Sequence, residues 1–308
     1  MIDLKEYPYW PAPMEGVMHP ALIRACNALN LVNIWLTPFL RLTSAVPKTA
    51  KLRDFIAPFK AGKVPVVVQL MGVDAAVMSD CAAEFMTLGA AGINVNCACP
   101  SNQVVRHGAG GGALRNPAGI TALLETMQKA LPGVSLSVKL RTGFDECDMA
   151  WYSELAALHL SGVFLHFRTV KEQYKPLDWG VALQRFAAAQ AGLQQTFLVA
   201  NGDIGSAEQL ADLRKIHAGI GVMIGRNWFK DPYIFRRLTA KDNSVLPGAE
   251  AGRKRWFEQV IKQAKFDESL PFNNGKAIEL ATLMWGKQNH VLTKLTGADK
   301  NEWRNLTE

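Results

Sequence analysis

The stretch VPVVVQLMGVDAAVMSDCAAEFMTLGAAGINVN, residues 64–96, decides the fold. A short apolar run (Val64 to Leu70) passes through a glycine-containing turn into a segment with apolar residues at helical spacing (Asp74 to Leu88), and a second apolar run follows (Gly92 to Asn96). Strand, helix and strand in such close succession make a βα unit, because strand side chains alternate with a period of two while a helix repeats every 3.6 residues. The unit recurs. Further strand-like runs are Tyr9 to Met14, Leu31 to Pro38, Val134 to Leu140, Gly162 to His166, Thr196 to Ala200 and Gly219 to Gly225. Pro117 to Ala130, Met149 to Leu160, Val181 to Gln190 and Ser206 to His217 are amphipathic, and Ser206 with Gln209 reads as a capping box. Thr43 to Lys63 is the least regular segment. Eight strands alternating with helices predict an α/β fold, a (β/α)8 TIM barrel over residues 1–240; an open doubly wound sheet usually carries about six.

The pattern breaks at KDNSVLPGAEAG (241–252), whose Pro, Gly, Asn and Ser suit a linker. Apolar spacing resumes with Trp256, Val260 and Ile261 and again with Ile278, Leu280, Leu283, Met284 and Trp285, so residues 241–308 are expected to form a small all-helical C-terminal domain. Such an appendage serves as a lid, a dimerisation surface or a recognition module, and its 11 basic against 9 acidic residues do not choose among these.

With 49% hydrophobic and 20% charged residues the composition excludes a disordered or fibrous chain. No run approaches the roughly 20 apolar residues that span a bilayer, and MIDLKEYPYW lacks a signal-peptide pattern, so a cytoplasmic protein with no membrane association is expected. Five cysteines, an odd count, point to reduced thiols rather than a disulfide framework. A net charge of +7 gives a mild bias toward polyanionic partners such as nucleic acid. No protein partner is evident, and a monomer is expected.

In a barrel of this kind function sits just after the C-terminal ends of the strands. Those places read Ala12-Pro13-Met14-Glu15-Gly16, Phe39-Leu40-Arg41, Gln69-Leu70-Met71-Gly72, Asn96-Cys97-Ala98-Cys99-Pro100, Lys139-Leu140-Arg141, His166-Phe167-Arg168-Thr169, Asn201-Gly202-Asp203 and Gly225-Arg226. A lone Lys139 would commonly be a salt-bridge residue and a lone His166 a hydrogen-bonded core residue. Gln, Asn, Lys and His repeated around a ring are poor core packing, however, because each polar group demands a partner. They suit one shared polar ligand. Lys139 can neutralise an electron-rich ring, Gln69 and Asn96 can bond the edge of a flat heterocycle, and the last two loops lie where barrels commonly hold a phosphate. Flavin mononucleotide (FMN) fits that set. Cys97-x-Cys99 lacks the second pair that a zinc site needs, so no metal is expected. Either thiol could give up a proton, and spacing alone does not choose between them. The glycine-rich run Ser101 to Ala113 after Cys99 reads as a mobile segment above the mouth. Arg106, Arg115, Arg141, Arg168, Lys171, Lys175 and Lys230 all follow strand ends, giving a basic mouth.

The motifs APMEGV (12–17), VQLMG (68–72), INVNCACPSNQVV (93–105), SVKLRTG (137–143), HFRTVKEQY (166–174), ANGDI (200–204) and GVMIGRNWFKDPYIF (221–235) together resemble the tRNA-dihydrouridine synthase family. The NCxCPS form and the GGGA loop are most similar to the DusC branch, which acts on position 16 of tRNA. The resemblance implies reduction of uridine to 5,6-dihydrouridine in tRNA, with FMN as cofactor, NADPH as reductant and the helical domain recognising tRNA. It implies that Cys99, not Cys97, is the general acid. Pro13, Met14, Gln69, Lys139, His166, Asn201, Gly202, Asp203, Gly225 and Arg226 match FMN-contacting positions, and Asn96, Arg141 and Arg168 match polar positions around flavin and substrate. Glu172 stands where the family usually has Gln, Asn102 where Lys or Gln is common, and Asn227-Trp228 where a small pair is usual. From the residues alone, a flavin-dependent barrel reductase of a small enone or pyrimidine, or a non-catalytic RNA-binding barrel, remain as rivals.

Overall fold

The computed structural model describes residues 2–240, 242–267, 272–289, 291 and 302–306. Nine strands form one parallel sheet: β1 (Tyr9–Pro11), β2 (Trp35–Leu36), β3 (Leu40–Arg41), β4 (Val66–Met71), β5 (Gly92–Cys97), β6 (Leu136–Arg141), β7 (Gly162–His166), β8 (Leu198–Asn201) and β9 (Gly221–Ile224). The hydrogen-bonded order β1-β9-β8-β7-β6-β5-β4-β2, with β3 also on β4, curls round until β1 and β2 lie side by side, a nearly closed eight-stranded barrel. Each expected apolar run contains a strand. The additional β3 follows β2 after only three residues and pairs with the far end of β4, Leu40 opposite Leu70.

Between the strands run α1 (Pro20–Ala28), α2 (Thr49–Lys60), α3 (Ala75–Thr87), α4 (Asn102–Val105), α5 (Pro117–Ala130), α6 (Tyr152–Ala156), α7 (Trp179–Gly192) and α8 (Ala207–Ile216). Helix α2 occupies the segment that looked irregular. Its Leu52, Ile56 and Phe59 are buried on one face, and Pro58 lies inside the helix two residues before its end, where it removes one backbone donor from the ladder. The Met149 to Leu160 stretch gives only α6, because the chain leaves helical geometry at His159 (φ 50°). The capping box holds in altered form: Ser206 accepts from Gln209 N, while the Gln209 side chain accepts from Gly205 N rather than from Ser206 N.

Period-two alternation divides the apolar residues into two clusters. Leu36, Val67, Phe164, Val199 and Met223 face inward with Trp10 and plug the base of the barrel, Trp10 meeting Phe164 edge-to-face at 4.9 Å. Val68, Ile93, Val138, Leu165 and Val222 face outward and pack under the helices. Burying each such side chain contributes about 1.5–3 kcal/mol.

After β9 come α9 (Arg226–Lys230), α10 (Ile234–Arg237), α11 (Ala249–Phe266) and α12 (Asn274–Trp285). Helix α11 lies along α1, and Arg24 pairs with Asp267 at 2.8 Å. Trp228 on α9 contacts Trp35 of the barrel (6.3 Å) and Trp256 of α11 (4.9 Å), so the helical region shares one apolar cluster with the barrel shell. Among the described residues no helix is long and apolar enough to cross a membrane.

Candidate active site

The same alternation that seals the base brings polar groups to the top. In β5, Ile93, Val95 and Cys97 pack outward while Asn94 and Asn96 face in; in β6, Ser137, Lys139 and Arg141 face in. A carboxamide chain crosses the interior just above the apolar plug. Gln69 Nε2 donates to Asn94 Oδ1 (2.8 Å), Asn94 Nδ2 to Ser137 Oγ (2.9 Å), and Asn96 Nδ2 to Gln69 Oε1 (2.8 Å). Asn96 Oδ1 then accepts from the backbone N–H groups of Ala98 (2.9 Å) and Cys99 (3.0 Å). Buried amides satisfied in this way fix one geometry, and this chain ends at the cysteine. Asn94 and Ser137 were not singled out from the sequence; the only signal was polar residues at inward positions of two apolar strands.

Above the chain opens a cavity of about 760 Å³, within the range of small-molecule and cofactor sites. Pro13, Met14, Asn96, Cys99, Lys139, Arg141, His166, Asn201, Asp203, Gly225 and Arg226 line it. Three expected residues do not. Gln69 is fully buried in the carboxamide chain, Arg168 is 1% exposed, and Gly202 supplies backbone at φ 141° behind Asp203. Leu283 of α12 also lines the cavity, and Lys276 Nζ donates to Gly16 O (2.5 Å), so the helical region contributes a wall and holds the loop after β1. In the sequence Leu283 reads only as part of the helical apolar spacing, with nothing to place it or Lys276 at the site.

The two thiols separate cleanly. Cys97 lies in the outer shell, where burial pushes its pKa up to about 12. Cys99 lines the cavity, and burial raises its thiol above the ordinary value, so it stays protonated at neutral pH. The glycine run after it is not a free flap: Gly110, Gly111 and Gly112 are buried in a 3-10 turn, Gly110–Arg115. Gly111 N donates to Cys99 O (2.9 Å), and a Cβ there would lie 2.9 Å from that oxygen and 2.7 Å from Val170 Cγ2. Close approach, of Gly110 and Gly111 to Cys99 and of Gly112 to the Val105 backbone, is what these glycines serve.

Lys139 is held by β6 with its ammonium at the cavity, and no hydrogen-bond partner for it exists among the described residues. Burial, reinforced by Arg141, lowers its pKa to about 7. His166 Nδ1 accepts from Arg168 N (3.3 Å), and burial with the surrounding cations holds the ring well below its ordinary pKa. The ring is therefore neutral and carries its proton on Nε2.

Arg141 spans two loops. Its Nε donates to Ala98 O (2.8 Å) and its Nη1 to Thr169 O (3.0 Å) and Gln173 O (2.9 Å). Burial lowers its pKa only to about 10, so it remains a cation at neutral pH. Asp203, at φ 55°, bridges Arg168 and Arg226. Burial alone would raise its pKa, but the two guanidinium hydrogen bonds outweigh that and hold it below the usual carboxylate value.

Two of the departures from the family pattern, Glu172 and Asn227-Trp228, act inside the protein, whereas Asn102 is exposed and lines the mouth. Asn227 Nδ2 donates to Ile204 O (3.0 Å) and Asp203 O (3.2 Å), fixing the loop after β8, and Trp228 is the aromatic bridge to α11. Glu172 makes two bonds to Arg185 (2.7 and 2.9 Å) and accepts from Thr169 N (2.7 Å). The Arg185 hydrogen bonds lower its pKa to about 2 from 4.5. A depressed carboxylate stabilises the fold above pH 4.5, and that contribution is lost as pH falls toward 2. Glu172→Gln is therefore expected to cost about 1 kcal/mol at neutral pH, after allowing for partial exposure of the pair. Denaturant titrations at stepwise lower pH should show the difference from wild type closing; a constant gap down to pH 2 would contradict the assignment.

A barrel with a protonated thiol, an unpartnered ammonium and a neutral imidazole gathered at the C-terminal ends of its strands is an enzyme of the (β/α)8 class. The sequence profile of the family described as Dihydrouridine synthase (Dus) matches residues 11–281, and the chain belongs to that family. Among curated relatives, a tRNA-dihydrouridine(16) synthase from Ralstonia nicotianae is 28% identical over 240 residues, covering 74% of this chain and 71% of that protein. One from Haemophilus ducreyi is 29% identical over 232 residues, covering 72% and 70%. Among solved structures, an old yellow enzyme from Trypanosoma cruzi aligns with a TM-score of 0.51 at 7% identity, over 82% of this chain and 94% of that one, a likeness of fold.

Proposed function

We propose that the chain reduces uridine to 5,6-dihydrouridine in tRNA, at position 16, using FMN that NADPH reduces. The observation that carries this reading is the meeting of Cys99 and Lys139 on one cavity in a member of the dihydrouridine synthase family. The residues suit FMN. An ammonium without a protein partner favours an electron-rich ring, and Met14 and Pro13 offer an apolar wall. The Arg226 side chain and the backbone around Gly202 and Gly225 would take the phosphate.

When bound, the reduced flavin supplies the hydride that C6 of the uracil accepts. The protein's own part is to bind, orient and protonate. A uridine folded into tRNA must be extruded, at about a few kcal/mol of unstacking, and held in the mouth. Cys99 Sγ, kept protonated by burial, delivers the proton to C5. Asn96 and Arg141 act on Cys99 through the backbone, fixing the amides and the carbonyl beside it.

The reading is tested by the visible spectrum of the purified protein and by dihydrouridine mapping in tRNA from cells with and without the gene. A colourless protein that takes up no added FMN, or unchanged dihydrouridine, sinks it. Lys139 gives a sharper readout. Between pH 7 and 10.5 the unfolded chain keeps a proton there that the empty fold has lost, so apoprotein stability rises with pH across that window. Binding the electron-rich edge of a flavin ring against the Lys139 amine would favour its protonated form. Calorimetry in buffers of different ionisation enthalpy should find proton uptake on FMN binding near pH 8–9, absent in Lys139→Met, which should also retain FMN poorly. Equal uptake in both proteins would remove Lys139 from the flavin site.

A further inference from the structure

The seven basic residues that follow the strand ends are put to different uses. Arg141 and Arg168 are committed inside the protein, and Lys171 lies 3.6 Å from Asp145. Arg106 and Arg115 converge instead on a second cavity, about 590 Å³, lined by these two with Asn102, Gln103 and Val105. Asn102 lines both this cavity and the mouth, so the groove is an extension of the substrate entrance.

Its chemistry is selective. Among the described residues the lining offers two guanidiniums and two carboxamides and no carboxylate. Both arginines are exposed, and among the described residues neither is in an ion pair. Arg115 is nevertheless held in place, its Cζ lying 3.8 Å from the centroid of the Phe144 ring. A guanidinium held over an aromatic ring is positioned while its N–H groups stay available to acceptors at the rim, and such a fork suits phosphate oxygens.

We propose that this groove binds a backbone phosphate of the RNA strand, beside the nucleotide being reduced. The inference rests on the reading of the chain as a tRNA-reducing enzyme and adds where the strand is gripped. Asn102 and Gln103 donate to the same oxygens or to the neighbouring ribose, and the contact fixes position without reading sequence. The Asn102 departure from the family pattern thus lies at the junction of the two cavities.

The test is equilibrium binding of dihydrouridine-free tRNA to the flavin-loaded protein between about 50 and 200 mM salt, where each phosphate contact contributes roughly 0.7–0.9 to the slope of log K against log salt. Arg106→Ala and Arg115→Ala should each lower the slope by about that amount, and the double variant by about twice as much. Arg115→Lys keeps the charge and should retain the slope, which separates phosphate contact from packing on Phe144. Thermal melting of each variant checks folding. A double variant with wild-type affinity and slope overturns the groove assignment. Dihydrouridine formation by wild type on the same tRNA is measured alongside: if wild type forms none, the functional reading falls and this inference with it; if it is active and the slopes coincide, only the groove falls.

Discussion

Cys99→Ala is expected to lower dihydrouridine formation on tRNA by about 10² to 10⁴, while the variant stays yellow and NADPH still bleaches it. The expectation follows from where the sulfur sits. Burial keeps Cys99 a protonated thiol, and the carboxamide chain ending at Asn96 holds its backbone from one side while Gly111 holds it from the other. Removing Sγ deletes the acid and leaves those contacts untouched, so binding and flavin reduction persist. Cys97→Ala is the comparison, because that side chain packs in the outer shell and has no route to the cavity. Single-turnover reduction of tRNA by the pre-reduced protein reads the step directly. An undiminished rate in Cys99→Ala, or a matching loss in Cys97→Ala, would reassign the proton donor.

Trp228→Ala is expected to cost about 3–5 kcal/mol of stability, the range for truncating a large buried aromatic side chain. Trp228 is fully buried and touches Trp35, Phe235 and Trp256, so its ring ties the outer shell of the barrel to α11. Phe229 stacks on Trp256 at 5.2 Å and cannot fill the space while doing so. Urea unfolding followed by tryptophan fluorescence and by far-UV circular dichroism should show the loss. A change below about 1 kcal/mol would mean that the cluster collapses around the gap. Trp228→Phe, which keeps most of the volume, should recover much of the difference.

Much of this architecture is written locally. Eight apolar runs of strand length, separated by helical spacing, lead to the barrel, and reading the strand ends recovers Lys139, His166 and Asn201 at the mouth. What was illegible depended on long-range packing. The helix at Thr49–Lys60 hid behind its charge and Pro58, yet Leu52, Ile56 and Phe59 make a buried face once α1 and α3 flank it. Gln69 carries a polar group to the right height, but Asn94 and Asn96 claim its amide, and only the fold reveals that pairing. Glu172 stands out in the sequence only as a departure from the family pattern, and its partner Arg185 lies thirteen residues on, on a helix whose rotation the sequence does not specify. Leu283 enters the cavity from α12, far along the chain from every motif.

One buried guanidinium grips carbonyls from two different crossovers at once, those of Ala98 on one side and of Thr169 and Gln173 on the other. The two segments are thereby coupled as parts of one rigid frame, with no slack to absorb a length change. An insertion or deletion among residues 169–174 would reach the sulfur as a displacement, and displacements of about 1 Å are enough to cost a hundredfold in rate. Drift in that outer segment is thus constrained by reaction geometry, although none of its backbone takes part in the chemistry.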